Sequence, residues 1–133
     1  MISKYGDKVG NIRPKLVYKK VVEVLRLAAA SADIQLSQFP DETCRPDEVA
    51  LTYDEVVSSA QILVDNNIIT SGTYSMILEL NEMYSKYEVN DWTENAMYTS
   101  RNWAKTRAVA AKILQNMEVA WQPPNLFWLT YVV

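Results

Sequence analysis

The sequence predicts an all-α protein: a bundle of four main helices with short helical turns and an apolar C-terminal segment. Apolar residues recur at helical spacing along several long stretches, and the few glycines and prolines, three and five, stand between those stretches. The 133 residues are 49% apolar, which is enough for one buried core. We therefore expect a single helical domain over residues 1–133.

Before the central region, residues 1–12 are predicted to be a polar lead-in that Tyr5 and Ile12 tie to the body. A broad apolar stripe predicts a helix from about residue 15 to residue 31 or 32, with Pro14 in its first turn. Residues 33–51 are predicted to be an irregular connection. The alternative is that this connection hides a short helix beginning near Pro46-Asp47-Glu48.

The clearest pattern is a helical hairpin from Thr52 to Tyr87. Thr52-Tyr53-Asp54-Glu55 has the form of a capping box and predicts a helix that begins at Thr52. Asn66-Asn67 tolerates the left-handed conformation of a helix end. Thr70-Ser71-Gly72 then offers a cap for the second helix.

After the hairpin, Val89-Asn90-Asp91 is predicted to be a turn, and one or two helical turns follow with Thr93 as their cap. Ser100 is predicted to cap the last long helix, which extends to Met117. Helical structure ends before Pro123-Pro124.

The C-terminal segment, Leu126–Val133, is apolar on both of its alternating faces, so periodicity does not decide its conformation. Two interpretations remain open. The segment covers the core of its own chain, or it is offered to a partner.

Several classes of protein are excluded by composition. The chain has no histidine, which removes Ser-His-Asp and Cys-His catalysis. The single cysteine, Cys44, has no partner for an intrachain disulfide. One cysteine without histidine leaves too few ligands for a zinc site, so we expect no metal and no cofactor. No apolar run reaches the roughly 18–20 residues that span a bilayer, and the start lacks the apolar run of a signal peptide. A cytoplasmic protein that does not bind membranes is expected.

Charge is segregated along the chain. Residues 1–30 hold seven basic and two acidic residues (net +5), residues 31–98 hold two and thirteen (net −11), and residues 99–133 hold four and one (net +3). We call residues 31–98 the acidic section. It is suited to a basic protein partner, whose association it would accelerate. The alternative is that the first and last helices neutralise it within the fold.

The candidate partner-binding residues lie in this section and are acidic or aromatic. They are Asp54, Glu55, Glu79, Glu82, Asp91, Trp92 and Tyr98. Glu79 and Glu82 are spaced as an acid–base or metal-binding pair, but without histidine or an inward carboxylate nearby they are better explained as a solvated face. Nucleic acid is not expected as a partner, because a recognition helix that carries Glu79, Glu82 and Glu88 would repel phosphates.

The spacing of Tyr53-x-Glu55-Val56-Val57, Ile69-Thr70, Tyr74 and Leu80-Asn81 resembles that of small helical immunity proteins from bacterial polymorphic toxin systems. Trp92-Thr93-Glu94, Trp103 and Arg107 extend the resemblance, which covers about residues 53–117. It implies a cytoplasmic protein that binds one cognate toxin, often a nuclease, and blocks its active site or substrate surface. It assigns no individual binding residue.

Three functions are therefore compared. The first is a non-catalytic inhibitor of the immunity type, which binds a basic toxin domain through an acidic surface. The alternative is a structural or adaptor domain that self-associates through the apolar C-terminal segment. The third is an enzyme that uses carboxylates or tyrosine. The sequence leaves the oligomeric state open.

Overall fold

A computed structural model describes the backbone of residues 4–130 and the side chains of residues 13–130. These residues form seven α-helices and one 3₁₀ turn, and no strand occurs among them. The helices are α1 (Lys4–Ala29), α2 (Ala32–Ser37), α3 (Arg45–Val57), α4 (Gln61–Asp65), α5 (Ser71–Ser85), α6 (Glu94–Thr99) and α7 (Arg101–Asn116), and the 3₁₀ turn is Val89–Asp91.

The four long helices, α1, α3, α5 and α7, surround one core, which confirms the predicted all-α bundle. Each of the four packs against two of the others: α1 against α3 and α7, and α5 against the same two helices. The largest side chains with no exposed surface lie between them, including Leu25, Tyr53, Leu63, Ile77 and Trp103. Burial of these side chains supplies most of the favourable free energy of folding.

Helix α1 begins earlier than the sequence predicted. The backbone is helical from Lys4, so residues 4–12 are not a lead-in, and Pro14 lies inside the helix rather than in its first turn. A proline inside a helix removes one backbone hydrogen bond and its ring crowds the carbonyl of the residue four positions earlier, at a cost of about 3 kcal/mol, so a helix that is packed elsewhere can still continue through it. The predicted contacts of Tyr5 and Ile12 lie outside the described side chains. Among the described residues, no helix has both the length and the apolar character needed to cross a membrane.

The predicted irregular connection of residues 33–51 is mostly helical. Helix α2 begins after Ser31, whose side chain accepts a hydrogen bond from the backbone N–H of Ile34, and α3 begins at Arg45. Pro46 occupies the first turn of α3, which confirms the alternative of a helix that begins there. The irregular backbone is thus reduced to residues 38–44.

The predicted capping box at Thr52 is wrong. Thr52 lies inside α3 and is only 3% exposed. Val49 and Tyr53, one turn apart, are both fully buried, so the apolar face of the helix continues through this position. The S/T-x-x-E pattern occurs here within a helix that had already begun seven residues earlier.

The first helix of the hairpin is also interrupted, because α3 ends at Val57 and α4 begins at Gln61. The hydroxyl of Ser58 donates to the carbonyl oxygen of Glu55 at 2.8 Å, a contact that competes with the helical backbone. Two other predictions in the hairpin are confirmed. Asn67 adopts the left-handed conformation, with φ of 58°, and the Thr70 hydroxyl caps α5 by accepting from the N–H of Thr73 at 3.0 Å.

The predicted caps after the hairpin are confirmed as well. The Thr93 hydroxyl accepts from the N–H of Ala96 at 3.0 Å at the start of α6, and the Ser100 hydroxyl accepts from the N–H of Asn102 at 3.1 Å at the start of α7. The predicted turn at Val89–Asp91 is a single turn of 3₁₀ helix.

The chain that follows α7 returns to α1. The guanidinium of Arg26 donates to the carbonyl oxygen of Ala120 at 3.0 Å, and the indole N–H of Trp121 donates to the carbonyl oxygen of Arg26 at 3.0 Å. Three residues of the C-terminal segment, Leu126, Trp128 and Leu129, pack against the core. For these residues the core-covering interpretation is confirmed.

Candidate functional site

Three of the seven candidate residues meet at one groove between α3 and α5. The half nearer the 3₁₀ turn is a concavity of about 400 Å³, and its lining residues are Asp47, Ala50, Leu51, Val89 and Trp92. The other half, of about 380 Å³, shares Ala50, Leu51 and Trp92 and adds Asp54, Asn81, Glu82, Tyr84 and Ser85. We call the two halves together the acidic groove.

The acidic groove has an apolar surface that is open to solvent, formed by Leu51 in both halves and by Val89 in the half nearer the 3₁₀ turn. The side chains of Leu51 and Val89 are 53% and 88% exposed. Tyr84 also lines the groove although it is 3% exposed. Burial raises the pKa of Tyr84 well above the ordinary value of 10, so the phenol stays neutral and is unsuited to act as a base. Exposed aliphatic side chains that share a concavity are typical of an interaction site.

The rim of the acidic groove carries Asp47, Asp54 and Glu82. The amide of Asn81 donates to the carboxylate of Asp54 at 2.8 Å, which links α5 to α3. Across residues 13–130, no lysine or arginine comes within ion-pair distance of these three carboxylates. Their charge is therefore left to solvent and counterions, and the groove presents a negative potential.

Among the described residues, the ion pairs within the acidic section are both made by Arg45. Its guanidinium contacts Glu94 at 2.8 Å and Asp41 at 2.9 Å, and it also donates to the carbonyl oxygen of Leu36 at 3.4 Å. Arg45 therefore does not neutralise the groove carboxylates. Its contacts join α3 to α2 and α6 instead.

One wall of the groove is Trp92, which other rings hold in place. Its ring centroid lies 5.0 Å from that of Tyr87 and 6.1 Å from that of Trp103, the second pair in an edge-to-face arrangement. Trp103 is fully buried, and its indole N–H donates to the carbonyl oxygen of Asp91 at 2.8 Å. Half-buried Trp92 is therefore a firmly supported aromatic surface.

The carboxylate of Asp91, another candidate, lies largely buried and is engaged within the chain. The residue is 8% exposed, and its carboxylate accepts from the Ser100 hydroxyl at 2.6 Å, the Asn102 amide at 2.8 Å and the N–H of Glu88 at 2.9 Å. The hydrogen bond from Ser100 and those from Asn102 and Glu88 hold the pKa of Asp91 below its ordinary value. Asp91 instead fixes the turn that carries Trp92.

The remaining candidates lie away from the groove. Glu79 is exposed on α5, three residues before Glu82. Glu55 borders a separate concavity of about 170 Å³ with Trp128 and Lys20, whose ammonium lies 5.8 Å from the Trp128 ring centroid.

Tyr98 is 55% exposed, and its hydroxyl donates to the carboxylate of Asp33, a hydrogen bond that raises the pKa of the tyrosine. It lies on α6, beside the contacts of Arg45. The seven candidates therefore do not form one surface.

Seven lining residues of the acidic groove were not among the candidates, and three of them, Asp47, Leu51 and Val89, form its exposed apolar surface or its rim. Asp47, Leu51 and Val89 were missed because they lie in the stretch predicted to be irregular or in a turn. The only available signal was that Leu51 and Val89 are apolar outside the predicted stripes. In the part of the chain that the structure describes, no three cysteine or acidic side chains are grouped so that they could hold a metal ion.

No protein-family model matches the sequence, and no curated protein or solved structure matches it significantly. The candidate site therefore depends on the geometry of this chain.

Proposed function

We propose that the protein is a non-catalytic inhibitor of the immunity type, which binds a basic cognate toxin domain in the cytoplasm and neutralises it. A nuclease is one class of toxin that this proposal includes. The observation that supports this most is the acidic groove, in which Asp54, Glu82 and Trp92 meet around exposed Leu51 and Val89. An apolar centre with a polar rim is the usual anatomy of a protein-binding surface.

Electrostatics favours a basic partner. The acidic section has a net charge of −11, and the groove carboxylates have no basic side chain to pair with among the described residues. Such a surface attracts a positively charged protein over roughly 10 Å at 0.1 M salt and accelerates its association.

The alternative function, a structural or adaptor domain that self-associates through the C-terminal segment, has less support. Leu126, Trp128 and Leu129 already pack against the core of their own chain. Within residues 126–130, Phe127 is the most exposed large apolar side chain, at 48%. This one exposed ring within residues 126–130 offers little area for a stable interface.

We expect a reading frame directly upstream of this gene to encode a toxin's C-terminal domain, and the test is co-expression of the protein with that domain. The informative variants are Glu82→Lys, in the groove, and Glu79→Lys, three residues earlier on the same helix and outside the groove. Both residues are exposed, so both reversals should leave the fold intact. We expect Glu82→Lys to slow association at low salt and to weaken protection of the host, and Glu79→Lys to change both less.

Two results would contradict the proposal. One is a host that this protein does not protect from that toxin domain. The other is an association rate that does not depend on salt and is unchanged when both glutamates are reversed together.

A further inference from the structure

The acidic groove combines a continuous apolar floor with a rim of one charge. Leu51 and Trp92 border both halves, so the floor is shared, while the carboxylates of Asp47, Asp54 and Glu82 stand around it. Each half lies within the range of about 300–1,000 Å³ that is usual for a binding site. Two adjoining concavities with a shared floor fit an elongated occupant better than a compact small molecule.

The walls of the groove restrict the conformation of that occupant. They are α3, α5 and the 3₁₀ turn, whose backbone N–H and C=O groups are engaged within their own helices except at the helix ends, and no strand edge occurs among the described residues. An occupant therefore receives few backbone hydrogen bonds from the groove and must satisfy its own. A helix does so, whereas an extended peptide does not.

The groove is also prepared for binding before the occupant arrives. The rings of Tyr87 and Trp103 support Trp92, and the amide of Asn81 holds Asp54. Side chains that are already ordered lose little conformational entropy on binding.

We infer that the acidic groove binds an amphipathic basic helix of the partner, an inference that depends on the function proposed above. The apolar face of the helix lies on Leu51, Val89 and Trp92, and its lysines or arginines pair with Asp47, Asp54 and Glu82. This places the partner's positive charges where residues 13–130 supply no basic side chain within ion-pair distance.

The test uses a synthetic helical peptide of leucine and lysine, with leucines at positions i, i+3, i+4 and i+7, titrated into the full-length protein. One control peptide has the same composition in scrambled order, and another has glutamate in place of lysine. We expect the amphipathic basic peptide to bind about tenfold more tightly than the scrambled peptide, and the acidic peptide not to bind, because both the floor and the rim contribute.

Two variants of the protein locate the binding. Leu51→Lys places a charge on the floor, and Ile68→Lys changes a residue that is 39% exposed outside the groove. Circular dichroism establishes that both variants fold. We expect Leu51→Lys to weaken binding of the amphipathic peptide by about tenfold or more, because Leu51 is a central contact. We expect Ile68→Lys to weaken binding by less than about twofold, because Ile68 lies outside the groove.

Three results would overturn the inference. They are equal affinity for the ordered and scrambled peptides, equal effects of the two variants, and a dimer of the free protein that Leu51→Lys dissociates, which would place a second copy in the groove. A toxin-neutralisation assay distinguishes the helix-binding inference from the proposed function. If the protein neutralises the toxin and Leu51→Lys does so equally well, the inference fails and the proposed function stands. If the peptide binds as expected and no toxin is neutralised, the proposed function fails instead.

Discussion

Replacement of Asp91 should destabilise the protein more than replacement of any exposed carboxylate. Its carboxylate accepts three hydrogen bonds, from Ser100, Asn102 and Glu88. A hydrogen bond to a charged group contributes about 1.5–3 kcal/mol, and these donors lie close enough to the surface to recover part of that from water. We therefore expect Asp91→Ala to lower the free energy of unfolding by about 2–4 kcal/mol.

Asp91→Asn should have a smaller effect, about 1–2 kcal/mol, because the amide keeps the shape and forms neutral hydrogen bonds in place of charge-assisted ones. For 133 residues, an unfolding entropy of about 2.1 cal/mol/K per residue converts each kcal/mol to about 3–4 °C in Tm. The expected losses are therefore about 7–14 °C for alanine and about 3–8 °C for asparagine. The control is Asp65→Asn, since Asp65 is exposed and should change stability by less than about 0.5 kcal/mol.

The effect of Asp91 also has a defined pH dependence. Its pKa in the folded protein lies below the ordinary value of 3.8. Its contribution is therefore fully present above 3.8 and is lost as the pH falls through the folded pKa. Urea unfolding at several pH values should show the gap between wild type and Asp91→Asn narrowing below pH 3.8. A gap that stays constant, or an Asp91→Asn protein as stable as Asp65→Asn, would refute the assignment.

Three further predictions concern the core and the C-terminal region. Leu63→Ala should cost about 2–5 kcal/mol in urea unfolding because Leu63 is fully buried, and Ile68→Ala, at a 39% exposed side chain, should cost clearly less. Tyr53→Phe should cost about 1 kcal/mol in the same assay, because the phenol donates to the backbone of α5 at 2.8 Å. Trp121→Phe should increase hydrogen exchange at the start of the C-terminal region while α7 stays protected, since the lost N–H donates to Arg26. Equal costs for Leu63→Ala and Ile68→Ala, an unchanged Tyr53→Phe or an unchanged exchange pattern would each contradict the corresponding assignment.

The sequence predicted the local features of the fold best. The caps at Thr70, Thr93 and Ser100 and the left-handed Asn67 were all correct. Each cap depends on a contact between a short polar side chain and a backbone N–H within three residues, and Asn67 depends on the tolerance of asparagine for the left-handed conformation. Such interactions form in the same way whatever packs around them.

The first residues of helices were predicted poorly where one sequence pattern fits both a helix start and a helix interior. Thr52 with Glu55 has the pattern of a cap, yet the buried faces at Val49 and Tyr53 extend α3 on both sides of it. Pro14 is suited to a first turn, yet α1 continues through it. A pattern of this kind is permissive, and tertiary packing selects among the helices that it allows.

The site was predicted only in part because it is made by packing between helices. Asp54, Glu82 and Trp92 are up to 38 positions apart, and they meet because α3 crosses α5 beside the 3₁₀ turn. The burial of Asp91 was not foreseen because its hydrogen-bond partners Ser100 and Asn102 come from a later part of the chain. Charge composition indicated the acidic section, but only the fold shows which carboxylates pair with Arg45.

The pairing of α1 with α7 has a consequence for synthesis. The first helix and the last long helix pack directly against each other, so a nascent chain on the ribosome cannot bury the α7-facing side of α1 until residue 116 has emerged from the exit tunnel. Until then the side of α1 that packs against α7 is available to chaperones. Stable folding should therefore be late and cooperative, and premature termination before α7 should yield a product that is rapidly degraded rather than a functional fragment.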